Sequence, residues 1–206
     1  MSVVKIIDDV TEWAQSEICN KVKLKEPPPN DAAAVDQGYQ YKTVTPQAFS
    51  LFVPAKDKLP PGIVSPVPSL CVRVVEGQDT LDGRGGSIVL QFVFSTWDVG
   101  THGLDLFDRQ KDGSYKRWSG QEAADYFRAN ADGWRDAWNF VDTALRELES
   151  RTDVAGYELD RQSPIEYGPL ADQDGIPDYF PFWFCWVQFT LKYTLIRNIE
   201  KVEEYL

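Results

Sequence analysis

The run from Tyr179 to Ile196 constrains the fold more than any other stretch, because it is the most apolar and aromatic segment of the chain. From Trp183 onward one alternate set, Trp183, Cys185, Val187, Phe189, Leu191, Tyr193 and Leu195, stays apolar. The other set begins with Phe182, Phe184 and Trp186 and then turns to Gln188, Thr190, Lys192 and Thr194. Successive side chains on a strand point to opposite faces, so this pattern predicts a long strand with one face buried throughout and the other only over its first half. Such a strand belongs in the middle of a sheet that carries helices on one face. The second face then needs cover over part of its length, from a loop, a hairpin or another subunit.

The other elements are read against that strand. Val3, Ile6, Ile7, Val10, Trp13, Ala14 and Ile18 recur at steps of three and four with acidic residues between them, which predicts an amphipathic helix. Trp134, Trp138, Val141, Leu145 and Leu148 predict a second helix that runs to Ser150, and Ser119 with Glu122 has capping-box spacing for a helix start. Lys21 to Lys25 alternates like a short strand before Pro27-Pro28-Pro29 opens the chain. Tyr39 to Val44 and Phe49 to Val53 read as strands of a hairpin around Thr45 to Ala48. The proline-rich stretch Pro54 to Pro68 cannot be a central strand and reads as a surface arm. Leu70 to Gly77 and Ser87 to Trp97 read as an antiparallel pair, the second buried on both faces. Asp112-Gly113 marks a tight turn, Val154 to Glu166 holds a further strand and Pro169 to Pro181 is a loop. Together these predict one domain over residues 1–206 of α/β, more narrowly α+β, class. It has a mostly antiparallel central sheet, helices packed on one face, and an extended hairpin and proline-rich arm over 26–68.

Composition narrows function. The net charge is −11, so a continuous phosphate-gripping basic surface is not expected. Cys19, Cys71 and Cys185 are too few and too widely spaced for a disulfide framework or a zinc site, and read as buried thiols of a reducing compartment. Asp8, Asp9, Glu12 and Glu17 interrupt the first apolar positions, so neither a signal peptide nor a membrane span is expected.

No set of residues assembles into a catalytic motif. His102 is the single histidine, and a loop imidazole held by local hydrogen bonds accounts for it. Gly83-Arg84-Gly85-Gly86 lacks the ending of a phosphate loop and reads as a hairpin tip. Asp172-Gln173-Asp174-Gly175 opens like a calcium loop, but Trp183, Phe184 and Cys185 stand where the bidentate glutamate is needed. Asp79, Asp82, Asp98 and Asp105 could supply paired acids for a small hydrolase with His102 nearby, although solvated loop acids are the default in so acidic a chain. Trp134 and Trp138 read as core anchors. No cofactor or metal is expected. The long excursions at 26–38, 54–68, 77–87 and 168–181, with 13% aromatic residues, favour a protein that works by association, as a self-assembling subunit or as a monomeric adaptor.

The order of elements, Pro68 to Gly77, the Trp97-Asp98 strand end and Pro177-Asp178-Tyr179-Phe180-Pro181-Phe182-Trp183 resemble the tail terminator proteins of long-tailed bacteriophages and tail-like particles, and the related tail-completion and neck proteins. The resemblance covers the layout of most of the chain and rests on short motifs. It implies a subunit without catalytic residues that closes into a ring, usually of six. The ring would cap the tail tube, meet a head-tail connector or collar protein, and let DNA pass its lumen without tight binding. It further implies assembly in the host cytoplasm and residence in a virion or tail-like particle. Under this reading Tyr39, Tyr41, Phe49, Phe52, Leu59, Ile63, Arg84, Phe182, Phe184 and Trp186 are the expected interface residues.

Overall fold

The computed structural model describes residues 2–27, 42–80, 85–98, 107–109, 115–117, 133–171, 179 and 181–194. In chain order these hold α1 (Val3–Glu17), β1 (Leu24–Lys25), β2 (Thr43–Val44), β3 (Gln47–Ser50), β4 (Ser69–Thr80), β5 (Gly85–Trp97), β6 (Phe107–Arg109), β7 (Tyr115–Arg117), α2 (Trp134–Glu149), β8 (Asp153–Val154), β9 (Tyr157–Leu159), β10 (Glu166–Pro169) and β11 (Phe182–Tyr193). Seven strands form the main sheet in the order β3-β4-β5-β11-β9-β8, with β10 also paired to β11. Only the β3–β4 pair is parallel, so the expected α+β fold with a mostly antiparallel sheet is the one observed.

The central strand behaves as its alternation predicts. β11 lies antiparallel to β5 from Phe182↔Trp97 to Tyr193↔Gly86. That register places Cys185, Val187, Phe189 and Leu191 opposite Phe94, Phe92, Leu90 and Ile88, and all eight are buried. Leu70 and Val72 of β4 extend the same face. Both helices pack there, α1 through Ile6, Val10 and Ala14, and α2 through Ala137, Phe140, Val141, Ala144 and Leu148. Aromatic edges knit the layers: Phe92 meets Phe189 at 4.8 Å between ring centroids, and Phe94 meets Phe140 at 4.8 Å.

Local chemistry sets the ends of these elements. Lys5 N–H donates to the Ser2 hydroxyl, a capping bond that satisfies one free amide of α1. At the start of α2, a side chain on Gly133 would put its Cβ 2.3 Å from the Asp98 carbonyl oxygen, so only glycine lets the helix begin against the end of β5. Ala155 and Gly156, both at positive φ, make the two-residue turn between β8 and β9.

The hairpin expected around Thr45 to Ala48 does not form. Thr43–Val44 pairs instead with Leu24–Lys25, and Gln47–Ser50 turns in beside Ser69–Val72 in parallel. The reason lies in α1: Gln15 donates to the Pro46 carbonyl and accepts from Ala48 N–H, so it holds both sides of the pivot against the helix. Residues 39–41 of the expected strand lie outside the described residues. The run from Val154 to Glu166 does hold a strand, β9, preceded by the β8–β9 turn and reaching β10 at its end. β6 and β7 pair antiparallel, while the expected Asp112-Gly113 turn and the Ser119 helix start lie outside the described residues.

An ionic cluster joins the C-terminal ends of the two helices. Lys21 contacts Glu147 at 2.8 Å and Glu17 at 3.3 Å, and Arg151 pairs with both acids while lying over the Trp13 ring. The Lys21 hydrogen bond, opposed by partial burial and assisted by Arg151, holds both carboxyls below the ordinary glutamate range. Groups whose folded pKa is depressed stabilise the fold above the unfolded value, near pH 4.3, and that contribution is lost as pH falls through the folded value. The melting temperature is therefore expected to fall between about pH 5 and pH 3. A Glu17→Gln/Glu147→Gln variant should be less stable at pH 7 and show a shallower fall over that range in a thermal unfolding series. Equal slopes for the two proteins would contradict this assignment.

Candidate functional site

Of the carboxylates singled out from the sequence, the two that are described, Asp79 and Asp98, do not share a site. Asp79 pairs with Gly86 at the hairpin end of the sheet, and Asp98 follows Trp97 at the other end of β5. At about 3.3 Å per residue the strand between them spans roughly 36 Å. Asp98 is 3% exposed and its carboxylate takes Lys25 Nζ at 2.5 Å. Its backbone is held as well, by Asp98 N–H donating to Pro181 and by Trp183 Nε1 donating to the Asp98 carbonyl at 2.9 Å. This residue is a junction where the β1 arm, the end of β5 and the start of β11 meet, and not a loop acid open to substrate. His102, Asp82 and Asp105 lie outside the described residues.

Of the glycine-rich segment, Gly85 and Gly86 open β5 and pair with Thr80 and Asp79, so the chain continues there as strand and not as helix, while Gly83 and Arg84 lie outside the described residues. Among the described residues no three histidine, cysteine, aspartate or glutamate side chains converge on a metal-sized space. The three thiols are buried, and burial pushes Cys19 up to about 12 and Cys71 and Cys185 up to about 11, so they are inert packing groups. No helix among the described residues is long and apolar enough to cross a membrane.

The expected interface residues separate into distinct environments. Tyr39, Tyr41 and Arg84 lie outside the described residues. Phe49 is 8% exposed and sits in register with Cys71 inside the subunit. Leu59 and Ile63 are half-buried along the Pro54 to Pro68 crossing. Phe182, Phe184 and Trp186 are half-buried on the side of β11 that faces away from the helices. Trp186 obtains its cover from the chain itself: it pairs with Gly168 of β10, and its Nε1 donates to Pro169 at 3.0 Å. Phe52 differs from all of these, being 68% exposed.

Two apolar features result, and they lie on opposite edges of the sheet. The first is the tip that follows β3. Leu51 adopts φ 66°, left-handed backbone that a branched residue rarely occupies, while its N–H donates to Val72 and the next amide to Ser50. That turn projects Leu51 and Phe52 into solvent. The second is a cavity of 280 Å³ at the outer edge of β11, lined by Trp134, Ala137, Trp138, Pro169, Leu170, Tyr179 and Phe182 to Cys185. Its rim residues Trp134 and Tyr179 are 41% and 50% exposed.

Sequence reasoning placed Trp134 in the core with Trp138. Trp138 does pack against the core, but Trp134 is the first residue of α2, ahead of the buried stripe, and stands at the cavity rim under the Arg135 guanidinium. The sequence carries no signal for this, since Trp134 falls at the spacing of the stripe. No known family model matches this chain, and no curated protein matches it.

Proposed function

We propose that this protein is a structural subunit that assembles with copies of itself into a ring, and that the ring caps a phage-type tail tube and joins it to a head connector. The observation that carries the reading is the exposure of apolar side chains on both edges of one sheet, Leu51 and Phe52 on the β3 side and Trp134 and Tyr179 on the β10–β11 side. Where two unlike surfaces on opposite edges pair with each other, copies repeat head to tail, the contact type that generates rings when the rotation closes. A ring with unlike faces can copy the tube contact on one side without propagating it on the other.

The net charge of −11 supports a lumen through which DNA slides without sticking. The resemblance to tail terminator and tail-completion proteins supplies the tube and connector as partners, and with them a virion or tail-like particle as the final location. Solution mass combined with negative-stain imaging tests the reading: annular oligomers are expected, and a protein that stays monomeric and never forms an annulus contradicts it.

A further inference from the structure

We propose that β3 and the turn after it, residues 47–52, form a releasable edge strap: a unit that leaves the sheet while the rest of the fold stays closed, with Gln15 of α1 as its latch. This does not rest on the ring reading. β3 is four residues long, stands at one end of the sheet order and is the one described strand paired in parallel. Parallel pairing is slightly weaker per residue than the antiparallel pairing that joins β4, β5 and β11.

The two sides of the strap are held differently. Toward β4, Gln47 N–H donates to the Pro68 carbonyl at 3.3 Å and Leu51 N–H to the Val72 carbonyl at 2.8 Å. On the other side no strand pairs with it among the described residues, and α1 supplies side chains instead. Ala48 N–H donates to Gln15 Oε1 at 2.7 Å, Gln15 Nε2 donates to the Pro46 carbonyl at 3.2 Å, and the Thr11 and Ser50 hydroxyls meet at 2.9 Å. Thr11, Gln15 and Ser50 are half-buried, so water reaches these groups and can replace the bonds on release.

The apolar hold on the strap is small. Ala48 and Phe49 are buried, but Leu51 and Phe52 are 52% and 68% exposed and add little to closure. By contrast, β5 alone buries Ile88, Leu90, Phe92 and Phe94. Leu51 works against closure, because the closed strap keeps it at φ 66° and release returns it to ordinary backbone. Segments with few buried apolar contacts are the ones that open locally. Beyond Val72 no described strand pairs with the β3 side of β4, so release leaves all of β4, from Ser69 to Thr80, as the edge of the sheet.

Native-state hydrogen exchange on the full chain tests this through two amides, Ala48 bonded to α1 and Leu51 bonded to β4. Corrected for intrinsic rates, both are expected to exchange at least about 100-fold faster than Phe92, with one shared protection factor and little dependence on denaturant, as local opening requires. Gln15→Ala should lower the protection of both amides about tenfold, the equivalent of one net hydrogen bond. Leu51→Gly relieves the left-handed strain and should raise the protection of Ala48 about threefold. Ala48 and Leu51 exchanging as slowly as Phe92, with its denaturant dependence, overturns the strap. So does a Gln15→Ala protein in which Ala48 loses protection while Leu51 keeps it, or a Leu51→Gly protein in which Ala48 loses protection.

Discussion

Phe92→Ala is expected to lower the free energy of unfolding by about 3–5 kcal/mol, the range for removing a buried aromatic ring from a core that cannot collapse around the loss. Phe92 is fully buried in β5, between Val72 of β4 and Val187 of β11. Its ring meets Phe189 at 4.8 Å, Phe94 at 6.5 Å and Trp13 of α1 at 6.4 Å. One truncation therefore opens a void shared by the three central strands and a helix. For a chain of this size the melting temperature should fall by roughly 10 °C. Phe92→Leu retains most of the volume and should cost about half as much. A loss below about 1 kcal/mol for the alanine variant would show that α1 and the sheet do not meet at this ring.

Asp98→Ala is the second large effect, with an expected loss of about 3 kcal/mol. Removing one member of a buried ion pair costs about 3–5 kcal/mol, chiefly because the remaining charge is left desolvated. The lower end applies here, since Asp98 is nearly closed off while the Lys25 side chain keeps 27% of its exposure. A double-mutant cycle with Lys25→Met separates the pair from its surroundings, and the double variant should recover part of the single loss. Little dependence on salt is expected, because a buried pair is poorly screened. If Asp98 were instead a solvated loop acid, its removal would leave stability within about 0.5 kcal/mol.

These two residues also show what the sequence discloses and what it hides. Phe92 belongs to a nearly continuous apolar run broken only by Gln91 between Ile88 and Phe94, and burial of such a run follows from hydrophobicity alone. The same holds for the odd-numbered face of β11 and for the stripe of α2, which periodicity identifies directly. Asp98 is read wrongly from sequence because its partner, Lys25, is 73 residues away and pairing at that distance leaves no local pattern. β3 fails for a related reason. Four residues can form a hairpin or join a neighbour in parallel with similar local preference, and here the choice was made by Gln15 of a helix more than thirty residues earlier. Long-range contacts of this kind override propensity without changing it.

The candidate interface was only partly legible. Phe52 stands at the end of an apolar run, where sequence cannot tell the last buried position from the first exposed one. The left-handed turn at Leu51 decides it. Trp134 looked like part of the buried helical stripe because it falls at the right spacing, yet the stripe begins three residues later, where α2 first covers the sheet. The cavity itself could not be foreseen, since it gathers residues from α2, from the end of β10 and from both faces of β11.

Mass in solution, followed across concentration and paired with negative-stain images, tests the central claim most directly. The account predicts annular particles of about six subunits of 23.4 kDa, formed in solution or on the ends of tail tubes. A strictly monomeric species at tens of micromolar, with no annulus even when tubes are supplied, would contradict it.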